Sequence, residues 1–433
     1  MTHDFTIANL GPCQIDSPLN VSGFTSDDDR ILFHTRLSHL SEMCDGQGQP
    51  LSVEPAGPRK RIYFDPERTQ AAIVTCGGLC PGINDVIRSV TMTLCYRYGV
   101  NKILGIKYGL RGLNPAYGDK PVKLTPDFVK DITHIGGSIL STSRGPQDVS
   151  VMVDYLEQLK VNILFCVGGD GTMRAAEKLT AEITARNARI AVIGIPKTID
   201  NDLNLIEKSF GFDTAIEKTV EAIRCAHVEA KGAYNGIGLV KIMGRLSGYI
   251  TATAALAQGD VNFVLIPEVP FDLDGEKGFL KALESRMKAR GHAVILVAEG
   301  AGQELLIDNA AEQKTDASGN IRLRDIGLFL KNAIEQHFRN INLGINLKYI
   351  EPSYLIRSVP ANASDSIYCS SLGQYSVHAA MAGKTGLLVA LRNNEYVHLP
   401  LAAAISARRI DPQGNVWLRV LETTGQPVEM RKD

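Results

Sequence analysis

From residue 71 onward, short unbroken apolar runs alternate with stretches whose apolar positions recur at helical spacing. The runs are AAIVTC (71–76), NILFCV (162–167), IAVIGI (190–195), GLVKIM (238–243), FVLIPEV (263–269) and AVILVAEG (293–300). Each is bounded by Gly, Pro or charge, which predicts strands rather than helices; unbroken apolarity predicts strands buried on both faces. Helices are expected over 84–97, from about Met173, and over 212–229. In the last of these His227 falls in register with Ile216, Val220 and Ile223, and reads as a core or interface histidine rather than a catalytic one. Strand–helix alternation implies an α/β fold with mostly parallel sheets covered by helices. Ligands bind such sheets beyond the carboxyl ends of the strands, which is where the Gly/Asp/Arg clusters fall here.

Residues 1–70 break this rhythm. They are rich in Gly, Pro, Ser and Asp, with a GQGQP turn at 46–50, and read as an N-terminal extension packed around the main body. The whole chain has 433 residues, enough for two domains and a large core. Its 46 Lys+Arg against 47 Asp+Glu argue against a nucleic-acid binder. No stretch reaches the roughly 18 apolar residues of a membrane span, and the N-terminus has no signal-peptide pattern. The eight cysteines form no CxxC, so they are expected as buried thiols of a reduced, cytoplasmic protein rather than zinc ligands.

Four segments carry chemistry. GGLCPGIN (77–84) follows a strand and opens a helix, a geometry that cradles phosphate on backbone amides or simply makes a tight turn. GGDGT (168–172) follows a buried strand; its glycines admit a polyphosphate, and Asp170 can reach a Mg²⁺ on the phosphates. PKTIDND (196–202) brings Lys197, Thr198, Asp200 and Asp202 together, the two carboxylates facing the same way if the backbone is extended. A carboxylate there can take the proton of an attacking hydroxyl while a cation neutralises the moving phosphoryl group. Arg144 (STSRGP), Arg245 (IMGRLSG) and Arg357 (YLIRSVP) near strand ends suit bidentate phosphate recognition. Glu299, ending AVILVAE, either caps the next turn or accepts sugar hydroxyls. The one GKT, Gly383 to Thr385, lacks the upstream glycine of a P-loop and is expected to be a surface turn.

Taken in order, GGLCPGIN, GGDGT, PKTIDND, GFDTA, MGR, PEV, AEG and YLIR resemble the phosphofructokinase family over about residues 70 to 390. The resemblance implies two α/β domains flanking a cleft, with ATP or pyrophosphate on one side and fructose 6-phosphate on the other. It further implies Mg²⁺-assisted phosphoryl transfer to the C1 hydroxyl. On this reading Asp200 is the general base, with Thr198 and Asp202 beside it and Lys197 and Arg245 in the catalytic set. Gly78, Arg144, Gly145, Gly169, Asp170, Gly171 and Thr172 match the donor site, with Asp170 facing the metal. Thr198, Ile199, Asp200, Met243, Gly244, Arg245, Glu299, Tyr354 and Arg357 match the sugar-phosphate site. The implied division is an extension (1–70), a donor domain (71–210, completed by 357–405), a sugar-phosphate domain (211–356) and a C-terminal segment (406–433).

Pyrophosphate users of the family resemble GGDD with PK, whereas bacterial ATP users resemble GGDG with PG. Gly171 with Lys197 is a mixed pair, similar to the plant and trypanosomal branch, which uses ATP. A carboxylate at 171 would crowd and repel the α-phosphate of ATP; glycine does neither. ATP is therefore the expected donor and pyrophosphate the alternative, with a non-catalytic sugar-phosphate sensor as the reading from another class. Tyr354 stands where bacterial enzymes carry His, and Gly236 and Lys348 stand where they carry arginines lent by a neighbouring subunit. A homo-oligomer is still expected, with altered subunit contacts.

Overall fold

The computed structural model describes residues 4–42, 44, 48–306 and 322–432; part of the GQGQP turn lies outside them. Two compact units emerge. The first comprises Met1–Thr198, Leu203–Gly211 and Ser358–Ala407, the second Ile199–Asp202, Phe212–Arg357 and Arg408–Asp433.

The first unit is built on a sheet of nine described strands. Its centre is parallel, in the order Leu387–Arg392, Ala191–Pro196, Ile163–Gly168, Gln70–Thr75, Lys102–Ile106. Ile163–Gly168 and Ala191–Pro196 are buried along their whole length, as their unbroken apolar runs require. On one face Ala72, Val74, Leu164, Cys166, Val192 and Leu388 join a core with Met152, Leu156, Met173, Ala176 and Leu179 from helices Val149–Gln158 and Asp170–Ala185. Across the sheet, helices Ile83–Thr93 and Ala363–Met381 pack together; Gly373 lets them approach, and the Ser89 hydroxyl donates to the Ser370 carbonyl at 2.6 Å.

The sheet's edges depart from the parallel expectation. Val122–Lys123 pairs antiparallel at one end; Glu395–Pro400, Ser52–Pro55 and Ile31–Leu32 continue it antiparallel at the other. Residues before 70 thus do more than wrap the body, since two of their segments are strands of the main sheet. A third, Ala8–Asn9, pairs with Lys384–Thr385. The GKT is consequently no surface turn: Lys384 is 2 % exposed, with Nζ 2.6 Å from Glu54 and 2.9 Å from Asp27.

The second unit carries a four-stranded parallel sheet, in the order Phe263–Leu265, His292–Ala298, Gly236–Ile242, Asn346–Ile350. Helices Phe212–Gly232, Tyr249–Gln258, Phe279–Arg290 and Ile326–Asn340 cover it, with Asn415–Thr424 packed on Tyr249–Gln258. The edge strand Phe263–Leu265 is closed by one side chain: Gln426 accepts from Val264 N at 2.7 Å and donates to its carbonyl at 3.3 Å. Among the described residues no helix is long and apolar enough to cross a membrane. Of the cysteines, Cys76, Cys80, Cys166 and Cys369 are buried, but Cys13, Cys44 and Cys95 are half-buried and Cys225 is exposed. Cys225 sits on the polar side of Phe212–Gly232, so the expectation of uniformly buried thiols fails there.

Candidate active site

In the first unit the residues expected to bind the donor lie where parallel strands end. After Gln70–Thr75 the chain turns through Gly77 (φ +83°), whose N–H bonds to the Ser143 carbonyl at 3.1 Å. That bond draws the Arg144–Gly145 loop to the strand end; Arg144 is exposed and Gly145 left-handed at φ +99°. Lys197 arrives from the next-but-one strand. It is 5 % exposed, and its Nζ donates to the Gly78 carbonyl at 2.7 Å. A buried ammonium therefore lies at the base of the glycine turn. Cys76 shares this corner, and burial pushes its thiol up to about 11, so it stays protonated and inert.

Helix Asp170–Ala185 starts from Gly169 with no side-chain cap; the Thr172 and Met173 N–H groups bond the Gly169 carbonyl at 2.9 and 3.0 Å, which leaves those of Asp170 and Gly171 as the amides suited to an anion. Thr172 is buried and two residues inside the helix rather than at its N-cap. Gly169 is tight, since a Cβ there would lie 3.3 Å from the Lys197 carbonyl. Gly171 is open, with nothing within 4 Å of where its Cβ would be. Asp170 is held by Arg174 one turn on, with Nε at 3.1 and 3.0 Å from the two carboxylate oxygens and Nη2 at 2.9 Å. Arg174 was not singled out in the sequence, although its i,i+4 spacing from Asp170 was visible. Thr198 closes this half, its carbonyl accepting from the Ser209 hydroxyl at 2.5 Å.

In the second unit the MGR loop follows strand Gly236–Ile242. Arg245 sits in the left-handed region at φ +52°, after Gly244 at φ +146°. Glu299 holds this turn, Oε1 accepting from Gly244 N at 3.2 Å and Arg245 N at 2.7 Å. Of the two roles open for Glu299, one oxygen fulfils a turn-capping role, though the turn is the preceding MGR loop rather than its own. Gln303 Nε2 bonds the Glu299 carbonyl at 2.8 Å, a support the sequence did not signal. Gly300 is obligatory, because a Cβ would collide with the Arg245 carbonyl. Met243 is half-buried beside this loop. Tyr354 is 64 % exposed, with the Arg357 guanidinium 4.8 Å over its ring.

Ile199 is buried and Asp200 half-buried, and the Asp200 carbonyl accepts from the Ser247 hydroxyl at 2.9 Å. The extended backbone expected between Asp200 and Asp202 is absent. Asn201 adopts φ +50°, so the chain turns between the two carboxylates. Asparagine tolerates the left-handed region better than most residues, which is why a turn fits there without glycine. Gly236 has a packing cause: a Cβ would collide with the Ala230 carbonyl, so this strand start takes no side chain. Lys348 is exposed on the neighbouring strand, its residue paired with Gly238. His227 is half-buried, facing Asp260 at 3.9 Å and the His292 ring at 6.0 Å.

A parallel sheet with a helix N-terminus, glycine turns and a buried lysine at its strand ends defines a phosphate-binding class of protein. The family described as Phosphofructokinase matches residues 70–380, and the chain belongs to it. The chain is similar to the ATP-dependent 6-phosphofructokinase of Borreliella burgdorferi, at 48 % identity over 99 % of this chain and 98 % of that one. It is 45 % identical to the Trypanosoma cruzi protein of the same name, over 87 % of this chain and 77 % of the other. Among solved structures, a pyrophosphate-dependent phosphofructokinase from Marinobacter aquaeolei shares the fold, with TM-score 0.67 at 19 % identity, covering 82 % of this chain and 91 % of that one.

Proposed function

We infer that this protein is an ATP-dependent 6-phosphofructokinase, moving the γ-phosphoryl of ATP to the C1 hydroxyl of fructose 6-phosphate. The observation that carries this reading is its near-full-length similarity to relatives of that name. The open space at Gly171 supports ATP over pyrophosphate, since a nucleotide needs room beyond the phosphates that an acidic side chain would occupy.

Asp200 takes the proton of the C1 hydroxyl as the oxygen attacks. Thr198 and Asp202 flank it and hold the hydroxyl's approach. Lys197 and Arg144 neutralise charge on the transferring group, and the Asp170 and Gly171 amides of helix Asp170–Ala185 bind donor phosphate. Arg245, Arg357 and Tyr354 bind the sugar phosphate, while Met243, Gly244 and the free oxygen of Glu299 line the sugar. Asp170 is the carboxylate that would hold a Mg²⁺, which needs only one or two from the protein, and Arg174 would have to yield an oxygen to it. Bound there, Mg²⁺ would screen phosphate charge. We also propose a homo-oligomer, an expectation that rests on the family resemblance alone.

The test is fructose 1,6-bisphosphate formation by the purified protein with Mg²⁺, ATP and pyrophosphate being compared. Turnover with ATP alone is expected. Turnover with pyrophosphate would overturn the donor assignment, and silence with both, in protein that still binds fructose 6-phosphate, would favour a regulatory subunit.

A further inference from the structure

We propose that Ser247, locked in place by the C-terminal stretch 408–410, is a positioning residue for Asp200; the inference rests on reading Asp200 as the general base. Asn201, next to that base, is 4 % exposed and left-handed. Even for asparagine, a buried left-handed residue keeps that conformation only where its surroundings hold it. Here the carbonyls on both sides of Asn201 are bonded within the second unit. Ser247 Oγ donates to the Asp200 carbonyl at 2.9 Å, and Arg408 N donates to the Asp202 carbonyl at 2.6 Å.

Ser247 is itself fixed. It is 3 % exposed, its N–H bonds the Gly244 carbonyl at 2.9 Å, and Gly248 after it opens helix Tyr249–Gln258. Every residue of 408–410 reaches this turn. The Arg408 guanidinium lies 4.7 Å over the Tyr249 ring. Arg409 donates to the Leu246 carbonyl at 3.1 Å, and its own carbonyl accepts from Tyr249 Oη at 3.2 Å. Ile410 N shares Glu268 Oε1 with Gly248 N, at 3.2 and 3.0 Å. Residues 408–410 lie beyond the 70–380 matched to the family, so the family's motifs do not imply this role. The Ser247 bond sets the Asp200–Asn201 peptide plane, and with it the direction in which the Asp200 carboxylate leaves the backbone. A displacement of about an ångström at such a group costs on the order of 100-fold in rate.

The experiment compares wild type, Ser247→Ala and Ser247→Cys in the ATP-coupled assay, with thermal unfolding alongside. Ser247→Ala is expected to lower kcat at least about tenfold, with both KM values within about twofold and the thermal midpoint within about 3 °C. Ser247→Cys, whose thiol is a weak donor, is expected to recover part of kcat. Wild-type kcat in Ser247→Ala, or a fall in kcat matched by a large fall in midpoint and no recovery by cysteine, would overturn the proposal. Should the alanine variant not fold, Arg408→Pro against Arg408→Ala decides: only proline removes the N–H on the Asp202 carbonyl, and equal kcat in the two would overturn it. A wild type that turns over neither donor overturns the enzyme reading itself, an outcome separate from an active wild type with an unaffected Ser247→Ala.

Discussion

At position 171 an added Cβ would have nothing within 4 Å, so the consequences of a substitution there are expected to fall on what binds. Gly171→Asp is expected to leave folding intact or slightly improved, because it replaces glycine in a helix's first turn with an acid suited to that end of the dipole. In the donor site proposed above, the new carboxylate would face the α-phosphate of ATP. We expect kcat/KM for ATP to fall on the order of 100-fold at an unchanged thermal midpoint; steady-state kinetics with ATP unaffected would refute the steric account. Asp200→Ala tests the base in the same way. A lost general base costs about 10²- to 10⁴-fold in kcat, and calorimetric titration should show fructose 6-phosphate still bound, since the cations assigned to its phosphate are untouched.

Helix Ile326–Asn340 shows how one residue fixes an element. Asp325 Oδ1 accepts from Gly327 N and Leu328 N, both at 3.1 Å, and from Lys241 Nζ at 3.0 Å. Burial works against its charge, but the bond from Lys241 and those from the helix amides prevail and hold the carboxyl below its usual range. Its contribution is therefore full above about pH 4 and lost as pH falls through the depressed value. Asp325→Ala is expected to cost about 1–2 kcal/mol, and Asp325→Asn less because the cap survives; urea unfolding at pH 7 measures both. Elements of this kind divide sharply in how readable they are. Strands such as Ile163–Gly168 were legible because burial on both faces demands an unbroken apolar run. Asn346–Ile350, with exposed and half-buried positions only, carries no such run, and Lys102–Ile106 is interrupted by Gly105. The two- to four-residue strands of the N-terminal extension are too short for any period to register. At the site, glycine turns and acidic residues were legible as types. The turn at Asn201 and the Ser247 bond were not, because they depend on backbone conformation and on partners far along the chain; the Arg174 grip was readable in its i,i+4 spacing from Asp170 but was passed over.

Acid stability belongs to the whole molecule, because a few buried groups in the first unit set its pH limits. His378 is held by Tyr98, whose hydroxyl lies 2.8 Å from Nδ1. Burial, then the charges of Arg59 and Arg97, lower His378 to about 4. Burial likewise lowers His398, which as a neutral ring can donate from Nδ1 to Glu54 at 3.0 Å. Burial opposes charge on Glu54 too, yet the bonds from His398 and Lys384 take it down to about 2. The signs agree. Below about pH 6.5 the unfolded chain protonates both histidines while the fold refuses, so stability falls until the folded values are reached; below about 4.5 the Glu54 contribution drains away as well. His378→Gln keeps a hydrogen-bonding partner for Tyr98 and removes the titration. Between pH 7 and 5 the wild type should therefore lose about 2 kcal/mol more than this variant, a gap read from chemical denaturation at the two pH values. Equal losses would mean that His378 takes up its proton inside the fold, and that Tyr98 and the neighbouring arginines do not keep the ring neutral.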